Sequence, residues 1–537
     1  MKKRYENGSI VTMDDASPAA EALVEEDGKI LAVGTAADLA AAYPDAERMD
    51  LDGQTMLPAF IDAHSHFSSV ASGLLQVSLE DCSTLEEACK KIADFAGSGA
   101  VKKGEWVLVK DYDQNRLAEC RPLTAALLDA AAPDHPVMVQ HKCGHTGVCS
   151  SAALRLLGIS SDTPDPAGGR YGREDSGALN GYLEENAFFE NVRKVPSPQG
   201  SALLDAYRRA QQKYASYGIT TVQEGMMVSQ IAPLHRMLLE SGLLKLDLVS
   251  YPEFSAAEEL YRAFSDYTDD YRNHYRLGGI KIFLDGSPQE RTAWMRKQSA
   301  YLPLAPGGAP ETGSGVMETE AVEQAMLWAV QHGVQLLAHC NGDAAAQQYL
   351  TAAQAVERRF PEFARLRPVM IHGQLLAPDQ LPTLCACGVL PSFFVAHVYH
   401  WGDIHIRNFG RQRASLISPA ADALRNNLCF TFHQDAPVIE PDMLETVWCA
   451  VNRVTRAGIV LGADERIPVW EALKAVTINA AYQYGEETCK GSLTPGKRAD
   501  FVLLDRNPLT VPPLQIRDIR VLRTVKDGET VFDRDFL

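Results

Sequence analysis

The sequence has no long hydrophobic run and no surplus of basic residues, and each absence excludes a class of function. None of its apolar stretches approaches the ~18 residues that indicate a membrane span. The basic residues Lys2, Lys3 and Arg4 are not followed by the apolar segment of a signal peptide. The formal net charge of −18 disfavours nucleic-acid binding, which requires clustered lysine and arginine. We therefore expect neither a membrane nor a nucleic acid as partner.

Signatures of several other protein classes are also missing. The 11 cysteines are odd in number and scattered, without a secreted disulfide framework, so we expect a reducing cytoplasm. The sequence has no Gly-x-Ser-x-Gly nucleophile elbow, no phosphate-binding loop and no Gly-x-Gly-x-x-Gly turn. A length of 537 residues with 46% hydrophobic residues favours a large core domain with a second domain or an insertion.

Both ends of the chain contain short alternating apolar runs separated by glycine and aspartate. These runs fall within residues 1–57 and 488–537, and they have the pattern of β-hairpins. Neither end alone has enough strands for a stable sheet. The two ends together are therefore predicted to form one small β-sandwich domain.

The middle of the chain alternates short apolar runs with helical patterns. Helical patterns follow most of the runs, for example at residues 319–331 and 343–359. Repeated strand–helix units predict an α/β protein with a parallel sheet, and eight units predict a (β/α)8 barrel of the TIM type. The eight candidate strands are residues 56–63, 219–223, 244–251, 279–284, 334–338, 368–371, 389–393 and 428–432.

The predicted catalytic barrel occupies residues 58–487 and contains a long insertion. The gap between its first two strands is far too long for one crossover connection. Residues 67–218 are therefore predicted to form an insertion subdomain that covers the active site. Two further strand-like runs, residues 106–110 and 137–140, are assigned to this insertion.

The segment Asp-Ala-His-Ser-His at residues 62–66 is the strongest chemical signal. It ends an apolar run that begins at residue 56. Side chains two apart on a strand share a face, so His64 and His66 point the same way. Two imidazoles on one face can bind one cation, and imidazole suits zinc and similar metals. The alternative is a pair of histidines in a polar loop.

Four more polar residues lie in or near the C-terminal ends of predicted barrel strands. In this fold, active sites are found at that end of the barrel. A lysine within an apolar strand is costly unless it is neutral or paired, which makes Lys281 unusual. A single histidine at a strand end is more often structural, but six convergent groups favour a metal site. The four residues are Lys281, His339, His372 and Asp435.

This arrangement resembles the amidohydrolase superfamily, in the branch of metal-dependent amide hydrolases related to N-substituted formamide deformylases. The resemblance covers nearly the whole chain, including the opening residues 8–13 and the closing residues 490–501. Its most branch-specific motif is Lys-Ile-Phe-Leu-Asp-Gly at residues 281–286. One departure is His433-Gln434 before Asp435, where much of the family has serine before the aspartate; these bulky residues predict a different packing of the pocket wall.

The resemblance implies two divalent metal ions, with zinc as the default and iron, manganese or cobalt as alternatives. One ion is assigned to His64, His66 and Asp435, and the other to His339 and His372. The resemblance also implies that Lys281 reacts with CO2 to give a carbamate that spans both ions. In the alternative, Lys281 pairs with Asp285 and the site holds a single metal.

The implied reaction is hydrolysis of an amide-type C–N bond, of an N-formyl or N-acyl amine for instance, by a metal-activated hydroxide. Asp435 is predicted to take the proton of the attacking water and deliver it to the leaving amine. His145 lies in the segment that leans over the metal site in the family, and it is a candidate donor to the oxyanion. Its alternative role is that of a capping histidine in a loop.

Three further residues are candidates for contact with substrate. Glu224 follows the second predicted strand, next to the metal site. His397 and His400 follow the seventh predicted strand, where the lip of the pocket should be. Histidines in exposed loops are common, so these two are weaker candidates.

Two alternative functions remain open from the sequence. The same scaffold hydrolyses lactones and deaminates ring amidines, but such deaminases typically lack the strand-four lysine. The other alternative is a binding protein that has lost catalytic activity. The presence of all six ligand-type residues counts against it. A small-molecule substrate and a homodimer are expected. Substrate identity is set by loops, and the sequence does not specify it.

Overall fold

The computed structural model describes residues 1–99, 101–142, 146–166, 169–195, 201–303 and 307–536. The chain forms two compact units. The first comprises Met1–Ser68 with Ala210–Leu537, and the second comprises Ser69–Arg209.

Eight parallel strands, named here strands one to eight in chain order, form the centre of the first unit. Each pairs in parallel with the next, from strand one to strand eight, and strand four has two segments. They are Phe60–Ile61, Ile219–Met227, Asp247–Pro252, Tyr275–Leu277 with Gly279–Phe283, Gln335–Cys340, Val369–His372, Leu390–Phe393 and Thr431–Phe432.

Gly278 lies between the two segments of strand four, where side chains of strand three come close to its backbone. A Cβ atom at this position would lie 2.6 Å from side-chain atoms of Tyr251 and Val249. The Gly278 amide donates to the Ser250 carbonyl, and the parallel bridge from Glu253 to Lys281 continues the pairing beyond the interruption. The eight strands therefore form one continuous parallel series, as expected of a TIM-barrel-like α/β domain. Closure between strands eight and one stays a prediction.

The first predicted strand was wrong in its extent. Residues 56–63 do not form one strand, because Thr55–Pro58 pairs antiparallel with Phe501–Leu504 in a different sheet. The chain then changes partner, since the Ala59 amide donates to Asp500 and the Phe60 amide donates to Gly218. A single apolar run thus supplies two sheets.

Both ends of the chain contribute to one eight-stranded sheet. Its core includes Tyr5, Leu23 and Ile30 from the N-terminal part and Phe501 and Val525 from the C-terminal part. The predicted sandwich of two layers stays a prediction. The strands are Lys3–Val11, Ala19–Glu26, Lys29–Gly34, Glu47–Asp50, Thr55–Pro58, Phe501–Leu504, Val521–Lys526 and Glu529–Asp533.

The second unit has its own six-stranded mixed sheet and its own core. Ala88, Ile92 and Leu128 from its helices pack with Val107 and Val137 from its strands. Its position over the active site stays a prediction. Its strands are Val77–Ser78, Val107–Tyr112, Val137–His141, Thr146–Cys149, Gly169–Arg173 and Leu179–Glu185, and its helices are Leu85–Gly97, Ala125–Ala131, Ser151–Leu156 and Asn186–Val192.

Helices follow the parallel strands, which confirms the helical patterns at residues 319–331 and 343–359. Within the described residues, no helix has the length and apolar character needed to cross a membrane. The remaining α-helices are Ala36–Ala42, Phe67–Gly73, Ser201–Ser216, Ala232–Glu240, Ala257–Ala263, Thr319–His332, Asp343–Glu357, Leu381–Ala386, His397–Phe409, Arg411–Ala414, Ala420–Arg425, Met443–Asn452, Val469–Ala475 and Ile478–Gln483.

Candidate metal centre

Asp435 lies among three histidines from two strand ends, because His64 and His66 both follow strand one and His372 ends strand six. Its Oδ1 atom is 3.4 Å from His66 Nε2 and 3.5 Å from His64 Nε2, and its Oδ2 atom is 3.8 Å from His372 Nε2. One potential ligand atom each from His64, His372 and Asp435 lie within 4.8 Å of one another. This spacing is compatible with a shared metal ion, and these donor types suit zinc and similar metals.

The backbone is strained at two of these positions. His372 has φ of +72° and Asp435 has φ of +54°, in the left-handed region that residues other than glycine seldom adopt. Such conformations cost free energy and cluster at active sites, where the surrounding structure holds them. With these backbone conformations, the side chains of His372 and Asp435 approach each other, with His372 Nε2 3.8 Å from Asp435 Oδ2.

Lys281 lies within this group of side chains and has no exposed surface. Its Nζ atom is 3.3 Å from His64 Nε2 and 5.1 Å from the centre of the Phe283 ring. Burial lowers the pKa of Lys281 to about 7, because a charged ammonium loses its hydration there. In a large fraction of the molecules, Lys281 therefore carries a neutral amine at neutral pH.

The alternative in which Lys281 pairs with Asp285 is wrong for this structure. The carboxylate of Asp285 instead accepts hydrogen bonds from the backbone amides of Trp294, Asn341 and Gly342, at 2.7–3.0 Å. Throughout the described part of the chain, no ion pair joins Lys281 to Asp285. Among the residues that the structure describes, Lys281 therefore faces the histidines without an acidic partner at contact distance.

His339 completes the set of six predicted ligands. Its ring stacks on Phe283 with centres 5.0 Å apart and meets the ring of His372 at 4.7 Å. Asp285 Oδ1 lies 3.5 Å from its Nδ1, and Asn341 Nδ2 donates to its Nε2 at 3.3 Å. Because the amide nitrogen only donates, Nε2 of His339 carries the lone pair.

Gln223 determines the tautomer of His64 in the same way. Its amide nitrogen donates to the Ala63 carbonyl at 2.9 Å and to the Tyr484 hydroxyl at 2.8 Å. Its Oε1 atom must therefore accept, and it lies 2.6 Å from His64 Nδ1. His64 thus carries its proton on Nδ1 and presents a bare Nε2 toward Asp435. Sequence reasoning missed Gln223, although it is a polar residue directly before Glu224 in strand two.

Two observations indicate that these residues fit a metal ion. Asp435 Oδ1 is buried and has no hydrogen bond within the described residues, although buried polar atoms are normally paired. Burial also lowers the pKa of His64 and of His372 well below the ordinary value, so both imidazoles are neutral, as metal ligands must be. Burial alone would raise the pKa of Asp435, but its interaction with His66 holds that pKa well below the usual range and in turn raises the pKa of His66.

Comparison with known families agrees with this chemistry. A family model described as the amidohydrolase family matches residues 47–532. The chain belongs to the amidohydrolase family. It is a hydrolase acting on carbon–nitrogen bonds, as the sequence predicts. A second model, an imidazolonepropionase-like composite domain of bacteria, matches residues 23–46.

Individual relatives resemble this amidohydrolase along almost its full length. An N-substituted formamide deformylase from Arthrobacter pascens is 29% identical and is matched over 98% of each chain. The protein named putative amidohydrolase YtcJ from Bacillus subtilis (strain 168) is 25% identical, over 99% of this chain and 100% of that one. The crystal structure of an uncharacterized metal-dependent hydrolase from Pyrococcus horikoshii OT3 has the same fold, with a TM-score of 0.79 and 24% identity over 96% of this chain and 99% of that chain.

The two histidines predicted for the pocket lip of the amidohydrolase lie in a helix and not in an exposed loop. His397 and His400 lie in the first turn of the helix His397–Phe409. His397 is buried, with its Nδ1 atom 3.1 Å from His405 Nε2. His400 Nε2 lies 2.9 Å from Glu445 Oε1. Both rings are therefore held by protein groups, and their contact with substrate stays a prediction.

Glu224 is buried beside the candidate metal ligands of the amidohydrolase. Its Oε2 atom accepts from the Ser68 amide at 2.8 Å, and its Oε1 atom lies 3.9 Å from His66 Nδ1. Glu224 therefore lies next to the candidate ligand His66, and its contact with substrate stays a prediction. His145 lies outside the described residues.

Proposed function

We propose that this amidohydrolase cleaves the amide bond of N-acyl amines, N-formyl amines included, at a centre of two divalent metal ions. The proposal depends most on one observation, the buried Lys281 with its Nζ atom 3.3 Å from His64 Nε2. The similarity to an N-substituted formamide deformylase supports formamides as the first substrates to test.

In this proposal, His64, His66 and Asp435 would hold one metal ion and His339 and His372 the other. The carbamate of Lys281 would supply ligand oxygens. Bound divalent ions, zinc by default, polarise a carbonyl oxygen and lower the pKa of water. Asp435 accepts the proton of the attacking water at Oδ1, the buried oxygen without a hydrogen bond, and returns it to the leaving nitrogen. His145 donates to the oxyanion.

Lys281 reaches its ligand form by reaction with CO2. The neutral amine attacks the carbon of CO2, a C–N bond forms, and the nitrogen loses one proton to solvent. The product is a carbamate anion with two oxygen donors. A pKa lowered to about 7 by burial supports this step, because only the neutral amine is nucleophilic.

Metal content is the first test. Protein purified with bicarbonate and without chelator is expected to contain about two metal ions per chain, and to release amine from simple N-formyl and N-acyl amines. A strong chelator should abolish amine release, and zinc with bicarbonate should restore it. About one ion per chain would favour the lactonase or deaminase alternative, which a lactone and an amino-purine in the same panel would detect. No bound ion would favour the binding-protein alternative.

The Lys281→Ala variant is expected to lose the bridging carbamate and about 10²-fold or more in kcat/KM, since ligands between metal ions orient both. Because the variant leaves a cavity beside His64, added acetate or propionate should supply a carboxylate there and restore part of the activity. Asp435→Asn is the control, because it keeps Lys281 and should not respond to added carboxylate. Unchanged activity of Lys281→Ala would contradict the proposed bridging role.

The homodimer and the cytoplasmic location expected from the sequence stay predictions.

A further inference from the structure

His433 precedes the ligand Asp435 by two residues, and both of its ring nitrogens have a partner. Ser392 Oγ lies 2.9 Å from His433 Nδ1, and His433 Nε2 lies 3.2 Å from His372 Nδ1. All three side chains are buried, with 0%, 0% and 4% of the surface of Ser392, His433 and His372 exposed. The three groups thus form a chain that ends on a candidate metal ligand.

His433 is therefore not itself a seventh ligand. A metal ligand needs a nitrogen lone pair that faces the ion, and here one nitrogen faces Ser392 while the other faces His372. The ring of Phe394 packs beside it, with centres 5.4 Å apart, and limits its reorientation. His433 acts on the centre through His372.

The direction of these hydrogen bonds determines whether His372 can bind a metal. His372 Nε2 faces Asp435 and can be a ligand only if the proton is on Nδ1. That proton must then be donated to His433 Nε2, so His433 carries its own proton on Nδ1 and donates it to Ser392 Oγ. In the opposite arrangement, His433 would donate to His372 Nδ1, and the proton of His372 would block Nε2.

We infer that Ser392 and His433 are positioning residues that hold His372 in the tautomer with a bare Nε2 and thereby strengthen one of the two metal positions. This inference rests on the two-metal centre proposed above. Partners of this kind at ligand histidines typically change metal affinity by about 10–100-fold. The affected position is the one assigned to His339 and His372. The position of His64 and His66 has its own partner in Gln223, 2.6 Å from His64 Nδ1.

A stepwise metal titration tests this. Apoprotein is titrated with Zn²⁺ against a competing chelator, and in parallel with Co²⁺, whose visible absorption reports the ligand field. His433→Leu, which has similar bulk but no acceptor, is expected to weaken one binding step by about 10–100-fold, alter one Co²⁺ spectrum and leave the other step unchanged. His433→Gln should largely restore the weakened step, because its amide oxygen can accept from His372 Nδ1.

Two variants guard against effects of misfolding. Ser392→Ala removes only the far partner of His433 and is expected to weaken the same step by a smaller factor. His135→Gln is the matched control, since His135 is also buried but its Nδ1 atom bonds the Glu105 carbonyl at 2.9 Å.

Wild-type affinity of both steps in His433→Leu would overturn the inference, as would equal weakening in His433→Leu and His433→Gln. Wild-type protein that binds fewer than two ions would instead contradict the proposed centre.

Discussion

Replacement of Asp435 by asparagine is expected to lower kcat/KM by about 10²–10⁴-fold, the range for loss of a general acid–base group. Asparagine has nearly the same shape and tolerates the φ of +54° at this position, so the backbone should not change. Its amide cannot accept the proton of water or return it to the leaving nitrogen. It is also a weaker metal ligand than the carboxylate beside His64 and His66.

The measurement is steady-state amine release, with metal content and thermal unfolding determined on the same preparation. Asp94→Asn is the control, because Asp94 is an exposed aspartate whose partner is Lys90. A rate near that of the wild type in Asp435→Asn, with the metal bound, would show that another residue moves the proton. Loss of folded structure would show that Asp435 is structural.

A second large effect is expected at Asp247, far along the chain from any candidate ligand. Asp247 begins strand three and is only 1% exposed. Its Oδ2 atom lies 2.5 Å from Lys490 Nζ and 3.1 Å from Lys526 Nζ, and both lysines are also buried. His274 Nδ1 lies 2.8 Å from the other carboxylate oxygen. Asp247 therefore contributes negative charge beside two buried lysines. One of them, Lys526, belongs to the eight-stranded sheet that both ends of the chain form.

Asp247→Asn is expected to lower the free energy of unfolding by about 1–3 kcal/mol, because the buried Lys490 and Lys526 lose their shared carboxylate. Each lysine keeps at least one other carboxylate, Glu486 at 2.7 Å from Lys490 and Asp527 at 2.6 Å from Lys526. Denaturant unfolding followed by tryptophan fluorescence would measure the change. Asp94→Asn again serves as the control, since it breaks an exposed pair and should have only a small effect. A shift no larger than that of the control would contradict this account.

The effect of Asp247 should depend on pH in one direction. Burial by itself would raise the pKa of Asp247, but Lys490, His274 and Lys526 lower it well below its ordinary value. A carboxylate with a lowered folded-state pKa stabilises the protein fully above its unfolded pKa of about 3.9. That stabilisation is lost as the pH falls through the folded-state value. The difference in the free energy of unfolding between the wild type and Asp247→Asn should thus be largest at neutral pH and decrease in acid.

The α/β class and the order of the candidate ligands along the chain could be predicted from the amino-acid sequence alone. His64 and His66 were found from the two-residue period of a strand, and Lys281 was found because a lysine is costly in an apolar run. Both signals are local. For Lys281 the neighbours in sequence correctly predict a buried strand position, whereas His64 and His66 lie beyond the end of the strand Phe60–Ile61.

The side chains that support the candidate ligands could not be predicted in this way, because their contacts are long-range. Gln223 is 159 residues from His64, His433 is 61 residues from His372, and Lys490 is 243 residues from Asp247. Each pair meets through long-range packing, which depends on the register of the strands and on their order in space. No local pattern encodes that register, because many pairings would bury the same apolar residues.

The division of residues 56–63 between two sheets has the same cause. Residues 56–61 are all apolar, so hydrophobicity alone marks no boundary between Pro58 and Phe60. The boundary arises where the backbone exchanges one set of partners for another, from Phe501 at Pro58 to Gly218 at Phe60. The hydrophobic pattern predicts which residues are buried. Which strands they pair with depends on the backbone hydrogen bonds of the folded protein.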